Sequence, residues 1–224
     1  MLVSELFEHT LKEHDAKTRK AVRAALTGSG FKFCGSGDDS LVFTKDSNTI
    51  IKVIVPNDIR RNTQQNSEQS YRKFLDFCAK VQRSKKNPHL PEVKELPKVN
   101  VGGLEFAQYE MPKYLPLTSD EYDVIDDMGY AISLSEDSFK QFLYDAEKTP
   151  NYKLSQLKFI SKQESLYRVL TALTRMAGTI GFTPEITGHN VMKKADGTLV
   201  VIDPWQDWRN SPNRGVRVFP NRTL

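Results

Sequence analysis

The sequence predicts an α+β fold in two lobes, and three observations carry that prediction. Residues 31–55 hold short apolar and β-branched runs separated by turn residues, the pattern of a hairpin. Residues 161–181 hold a continuous apolar stripe at helical spacing. The two patterns are segregated, with strands and one helix first, then helices with a late loop and strand. A parallel sheet would interleave them.

Taken in order, residues 1–30 read as an N-terminal helical extension. Asp15 is a candidate N-cap, Ala21, Val22, Ala25 and Leu26 supply helix-forming apolar content, and Gly28 and Gly30 stop it. The first lobe is expected over 31–111. It opens with the strand FKFC (31–34), the turn Gly35-Ser36-Gly37, the strand LVFT (41–44), the turn KDSN (45–48) and the strand TIIKVIV (49–55). Residues 63–82 predict a helix, because Tyr71, Phe74, Leu75, Cys78 and Val81 fall on one face. NPHLPEV (87–93) leads into a short strand, and GLEFAQYEMPKYLPL (103–117) reads as a strand running into a Pro-rich connector. The second lobe is expected over 112–224, with a helix at 136–147 and the strong helix at 161–181. Ser161 and Glu164 have capping-box spacing for that helix. The strand TLVVID (198–203) and a basic tail with Arg209, Arg214, Arg217 and Arg222 complete it.

Composition narrows the class. Apolar residues make up 38% of 224, enough for a core, and the net charge of +4 is too mild for a dedicated nucleic-acid binder. Nucleic acid is therefore not an expected partner. Two cysteines, Cys34 and Cys78, form neither a metal motif nor a disulfide framework. No apolar run approaches the ~18 residues of a membrane span, and the first residues lack a signal-peptide pattern. A cytoplasmic protein without a membrane partner is expected.

A few residues stand out chemically. Lys52 sits inside the run TIIKVIV. Alternation puts Ile50, Lys52 and Ile54 on one face and Ile51, Val53 and Val55 on the other. An ammonium there must find an anion or reach water, since burying it unpaired is costly. A phosphate would serve; so would an edge strand with the lysine snorkelling outward. Gly35 and Gly37 precede that hairpin, and glycines let backbone amides approach phosphate oxygens. Ser40 stands where a fuller glycine motif has its third glycine, and Asp38 and Asp39 would repel phosphate if they faced it. Glu68, on the first-half helix, could pair with Lys52 or lie solvated. In the second half Glu185, Asn190 and Asp203 flank a hairpin, so the last two could converge on one Mg²⁺, which favours oxygen ligands from one or two carboxylates plus substrate phosphates. Each alone is also an ordinary turn or strand-end residue.

Together these residues resemble the motif set of the protein-kinase-like superfamily. Gly35 and Gly37 match its glycine loop, Lys52 its strand lysine, Glu68 its helix glutamate, Glu185-x-x-x-x-Asn190 its catalytic loop and Asp203, in Asp-Pro-Trp, its strand-end aspartate. EMPKY (110–114) stands at its interlobe hinge, where Glu110 and Met111 backbone groups would hold adenine. The glycine-loop and lysine region, GHNVM and VIDPW are most similar to the short early serine/threonine kinases of autographiviral bacteriophages. The resemblance spans roughly residues 15–205. It implies a two-lobed fold with a small antiparallel-sheet N-lobe and a minimal, truncated helical C-lobe, and a cleft around Lys52, Asn190 and Asp203. It implies ATP and Mg²⁺ as cofactors and host-protein hydroxyls as acceptors. The sequence departs from the pattern at Glu185, where the family has Asp, and at Thr187, where it has Lys or His. The short stretch after Asp203 also leaves no room for a long activation segment.

Three functions follow from the resemblance. The first is a protein serine/threonine kinase in which Glu185 serves the acceptor hydroxyl. The second is a pseudokinase that binds nucleotide or a partner without transfer, favoured by Glu185 and Thr187. The third is a small-molecule kinase of the aminoglycoside-phosphotransferase type, for which DEYDVIDD (120–127) could offer an acidic pocket, although such a run is more often a solvated face or a helix start.

Overall fold

In the computed structural model the described residues are 17–56, 61–84, 86–134, 137, 138, 140, 141, 144, 164–180 and 182–207. They form two compact units, one drawn from Met1–Gln69 and Glu92–Lys113, the other from Ser70–Pro91 and Tyr114–Leu224. The fold is the expected α+β class, with an antiparallel sheet built from the first half and helices dominating the second.

The first unit is a five-stranded antiparallel sheet. Its strands are β1 (Lys32–Ser36), β2 (Ser40–Thr44), β3 (Thr49–Ile54), β4 (Lys94–Val101) and β5 (Leu104–Pro112), in the order β1-β2-β3-β5-β4. Alternation puts Leu41, Phe43, Ile51, Val53, Val55 and Phe106 into one buried cluster. Helix α1 (residues 17–28) closes that cluster with Val22 and Leu26, one turn apart. Each fully buried side chain of this size contributes roughly 1.5–3 kcal/mol, so α1 belongs to the core of the unit. The helix stops where Phe31 N–H donates to Leu26 O at 3.1 Å and Gly30 takes φ +91°, a left-handed cap suited to glycine. The β4–β5 hairpin turns through Gly102 (φ +62°) and Gly103 (φ +82°), the two positive values a tight primed turn needs.

Helix α2 (Arg61–Ser84) contains the boundary between the units. In the second unit its buried Tyr71, Phe74 and Cys78 recur at helical spacing. Helix α3 (Ser119–Leu134) starts with a reciprocal capping box. Thr118 N–H donates to Glu121 Oε2 at 2.7 Å, and Glu121 N–H donates to Thr118 Oγ1 at 3.3 Å. Helix α4 (Glu164–Ile180) buries Leu166, Val169, Leu170, Leu173 and Ala177, the stripe read from the sequence. Short strands follow. β6 (Phe182–Pro184) pairs with β9 (Trp205–Asp207), and β7 (Val191–Lys193) pairs with β8 (Leu199–Val201).

Two anchors fix these strands. Trp205 is buried, donates its indole N–H to Leu173 O at 3.0 Å, and meets the rings of Phe74, Phe77 and Phe182. His89 is buried and donates Nδ1–H to Leu199 O at 2.8 Å, while Val201 N–H donates to His89 O at 3.0 Å. Burial lowers the His89 pKa, and a neutral ring with its proton on Nδ1 suits the bond to Leu199. Asp15, Ser161, most of the expected helix at 136–147 and the tail arginines lie outside the described residues.

Candidate functional site

In the first unit, β3 is the middle strand and Lys52 is only 7% exposed, so the edge-strand, outward-snorkelling alternative is ruled out. Its neighbours across the sheet are Val42 on β2 and Tyr109 on β5. The core cluster takes Ile51, Val53 and Val55, so Lys52 shares the opposite face with Ile50 and Ile54, as the alternation requires. Glu68 on α2 forms an ion pair with Lys98 of β4 at 2.8 Å. Glu110 pairs with Lys45 at 2.8 Å, and Met111 is buried. The β4 pairing ends at Glu110, so Met111 borders β3 alone.

The glycine turn leaves β1 just after a register shift between Phe33 and Gly35. Neither Gly35 nor Gly37 has a positive φ. A Cβ on Gly35 would meet nothing within 4 Å, and one on Gly37 would only touch Ser40 Oγ at 3.8 Å. Neither backbone conformation nor internal packing demands glycine here. Ser40 is buried at the start of β2.

In the second unit, the loop between β6 and β7 joins the residues that the sequence singles out. Asn190 Nδ2 donates to Glu185 O at 2.9 Å and to Glu185 Oε2 at 3.2 Å. With its nitrogen committed to Glu185, the amide turns Oδ1 away from that residue. Both ends of the loop are tied to the segment that carries Asp203. Glu185 N–H donates to Pro204 O at 2.6 Å, and Ile202 N–H donates to Asn190 O at 2.8 Å. Asp203 therefore lies between two residues hydrogen-bonded to the two ends of the loop. Glu185, Asn190 and Asp203 are each partly exposed.

Helix α3 supports this loop through one stripe, Tyr122, Asp126 and Gly129, spaced four and three residues apart. Asp126 Oδ1 accepts from Gly188 N–H at 2.6 Å. Tyr122 meets His189 edge-on, with ring centroids 4.8 Å apart, and a Cβ on Gly188 would strike the Tyr122 ring. A Cβ on Gly129 would overlap the carbonyl oxygen of Ile186, so glycine is required there by close approach. Glu121 pairs with Lys193 of β7 at 2.6 Å. Burial raises the Glu121 pKa, and hydrogen bonds from Lys193 and Thr118 outweigh that effect, leaving it below the usual carboxylate value. Part of the acidic run 120–127 is thus used inside the protein, where Asp126 holds the loop and Glu121 holds the strand that follows it.

Sequence reasoning missed this stripe. The Thr118-x-x-Glu121 spacing marks the start of α3, and counting four and three along it from Tyr122 recovers Asp126 and Gly129. It also missed Arg19 of α1, whose guanidinium donates to Gly37 O at 2.8 Å, Asp38 O at 3.1 Å, Ser40 O at 3.1 Å and Val55 O. No signal in the sequence marks that contact. Among the described residues no group of three or more His, Cys, Asp and Glu could hold a metal ion. The oxygens at this loop and strand end that could serve a hard cation are Asn190 Oδ1 and the Asp203 carboxylate, the ligand types Mg²⁺ takes alongside phosphate oxygens and water.

No known protein-family model matches the sequence, and no curated protein is similar to it. Among the solved structures that match it, two are aminoglycoside phosphotransferases. One is the ADP-bound aminoglycoside phosphotransferase APH(2'')-Ib, at 14% identity with a TM-score of 0.33 over 79% of this chain and 67% of that one. The other is the streptomycin–ATP complex of APH(2'')-IIa, at 14% identity with a TM-score of 0.33 over 92% and 73%. Likeness at that level does not decide the chemistry of this chain. Among the described residues no helix is long and apolar enough to cross a membrane.

Proposed function

We propose that this chain is an ATP- and Mg²⁺-dependent phosphotransferase that acts on a hydroxyl group. The observation that carries the reading is the double tie around Asp203, with Glu185 bonded to Pro204 and Asn190 bonded to Ile202. It supports the reading because it ties the backbone at Glu185 and at Asn190 to the residues on either side of Asp203, and a base, an amide oxygen and a carboxylate are the parts such transfer needs. Bound ATP would supply the phosphoryl group, and Mg²⁺ would neutralise its charge. Asn190 Oδ1 and Asp203 hold the cation. Glu185 orients the acceptor hydroxyl and takes its proton. In the first unit Lys52 serves the α- and β-phosphates, while the Glu68 carboxylate is engaged by Lys98. Gly35, Gly37 and Ser40 face the phosphates, and backbone groups of Glu110 and Met111 hold adenine.

The acceptor hydroxyl belongs to a small molecule or to a protein. Aminoglycosides are the first small molecules to try, since one solved protein above is an aminoglycoside phosphotransferase and the other is held in a complex with streptomycin and ATP. The protein acceptor rests on the motif resemblance to phage kinases. The test is Mg²⁺-dependent ATP turnover with an aminoglycoside panel and, separately, with host-cell protein. Turnover in either arm supports the reading, and Asn190→Ala or Asp203→Ala should reduce it about 10²-fold or more. Unchanged turnover in both variants would remove the site from the second unit.

A second reading, nucleotide binding without transfer, is favoured by the Glu185 side chain. Its carboxylate bends back to within 3.2 Å of Asn190 Nδ2 in its own loop. Tight Mg²⁺-dependent ATP binding with no turnover, restored to turnover by Glu185→Asp, would establish that reading.

A further inference from the structure

We propose that Arg19 is a positioning residue for the nucleotide's phosphates, acting by holding the carbonyl oxygens of the glycine turn to one side. The proposal rests on the nucleotide-binding reading above and extends it to helix α1, which none of the expected site residues occupies.

The turn between β1 and β2 has an unusual hydrogen-bond pattern. All four carbonyls from Gly37 to Ser40 are occupied within the first unit. Arg19 Nη2 donates to Gly37 O and Ser40 O, and Arg19 Nη1 donates to Asp38 O and Val55 O. Val55 N–H donates to Asp39 O at 2.9 Å, and Gly37 N–H donates to Ser40 O at 3.0 Å. A guanidinium carries four Nη protons in a planar fork, and here all four are directed at backbone oxygens. No single ammonium could match that pattern, because it has three donors and no fork.

The geometry of the peptide unit converts this clamp into a phosphate-facing surface. The described chain has no cis peptide bonds, so each carbonyl points opposite the next residue's N–H. Drawing Gly37 O and Asp38 O onto Arg19 therefore turns the N–H groups of Asp38 and Asp39 away from it. A turn held this way keeps the partial negative charges of its carbonyls on the Arg19 side, so that they do not face an anion on the other side. The charge of Arg19 also attracts Asp38 and Asp39, the two acids that would otherwise oppose a phosphate.

The clamp is seated on a well-packed helix. One turn further along α1, the Arg23 guanidinium lies 3.9 Å from the Phe33 ring centroid, and Val22 and Leu26 are buried in the core. Arg19 therefore reaches the turn from a rigid element. Arg23 offers a control, since it docks the same helix without touching the turn.

The test compares ATP with adenosine by calorimetry on the full chain, with Mg²⁺ present. Arg19→Ala and Arg19→Lys should each weaken ATP binding about tenfold, while adenosine affinity stays at the wild-type value. Arg23→Ala should leave the ratio of the two affinities unchanged. ATP affinity in Arg19→Lys equal to wild type would overturn the proposal, as would equal losses for ATP and adenosine, which would mean a purely structural role. If Arg19→Ala does not fold, Arg19→Lys still decides. Wild-type protein that binds neither ligand would overturn the nucleotide reading itself, and this proposal with it.

Discussion

The turn at 37–40 and the loop at 185–190 are both short connections between strands, but they are held in place by different means. The first is gripped by one side chain from a neighbouring helix, with four guanidinium bonds to backbone oxygens. The second is tied by its own backbone to the strand segment beside it and wedged against α3 by the absence of a side chain at Gly129. The difference teaches where each can be perturbed. One substitution can loosen the turn while the sheet core stays packed, whereas the loop moves only if a helix or strand moves with it.

The largest expected effect breaks the loop side of this comparison. Gly129→Ala places a methyl group on the Ile186 carbonyl, a backbone atom that cannot rotate away. Overpacking of this kind costs about 1–3 kcal/mol and sometimes more, and urea denaturation should find the variant near or above the top of that range. Gly188→Ala meets the half-buried Tyr122 ring, a side chain that can swing, so it should cost clearly less. Equal stability of Gly129→Ala and wild type would mean that α3 does not approach the loop this closely.

A smaller effect belongs to the second unit and depends on pH. The His89 pKa lies below its ordinary 6.5, chiefly through burial, so the unfolded chain binds the proton more readily than the folded one. The sign is therefore a loss of stability as pH falls from 6.5 toward the depressed folded value, with no contribution above it. His89→Gln keeps a donor for Leu199 O without a titrating group, and its stability should decline less over that window. A decline as steep as that of wild type would assign the pH dependence to other groups.

The smallest effect leaves stability untouched and sharpens the contrast. Each unit has one cysteine, Cys34 exposed in the first and Cys78 buried in the second. Burial pushes the Cys78 thiol up to about 12, and the thiolate is the reactive form. A maleimide at neutral pH should label Cys34 quickly and Cys78 only after denaturant is added. Fast labelling of both in the native protein would contradict the packing of Cys78 on α2.

Much of the architecture was legible in the sequence because its patterns are local. The runs at 41–44 and 49–55 became β2 and β3, the apolar stripe after Glu164 became α4, and the burial of Ile51, Val53 and Val55 follows directly from alternation. Helix α3 was harder to read, since its first two turns are dominated by acids whose partners lie far along the chain. Asp126 is satisfied by Gly188 and Glu121 by Lys193. The three-residue strands β6 and β9 are too short to show a period, and only their pairing defines them. At the candidate site, the residue types of Lys52, Glu185, Asn190 and Asp203 stand out by chemistry. The groups that orient the glycine turn and the loop do not, because Arg19 and Gly129 act on backbone oxygens, and no sequence pattern records which carbonyl a side chain or a bare Cα will meet.

The ring box around Trp205 gives the protein a built-in optical gauge. The indole is shielded from water, its N–H is held by Leu173, and it follows Asp203 by one intervening proline. A cation drawn to that carboxylate would act within two residues of the chromophore. In a variant whose other tryptophan, Trp208, is replaced by Phe, emission from this single indole would track occupancy of the carboxylate without any added dye.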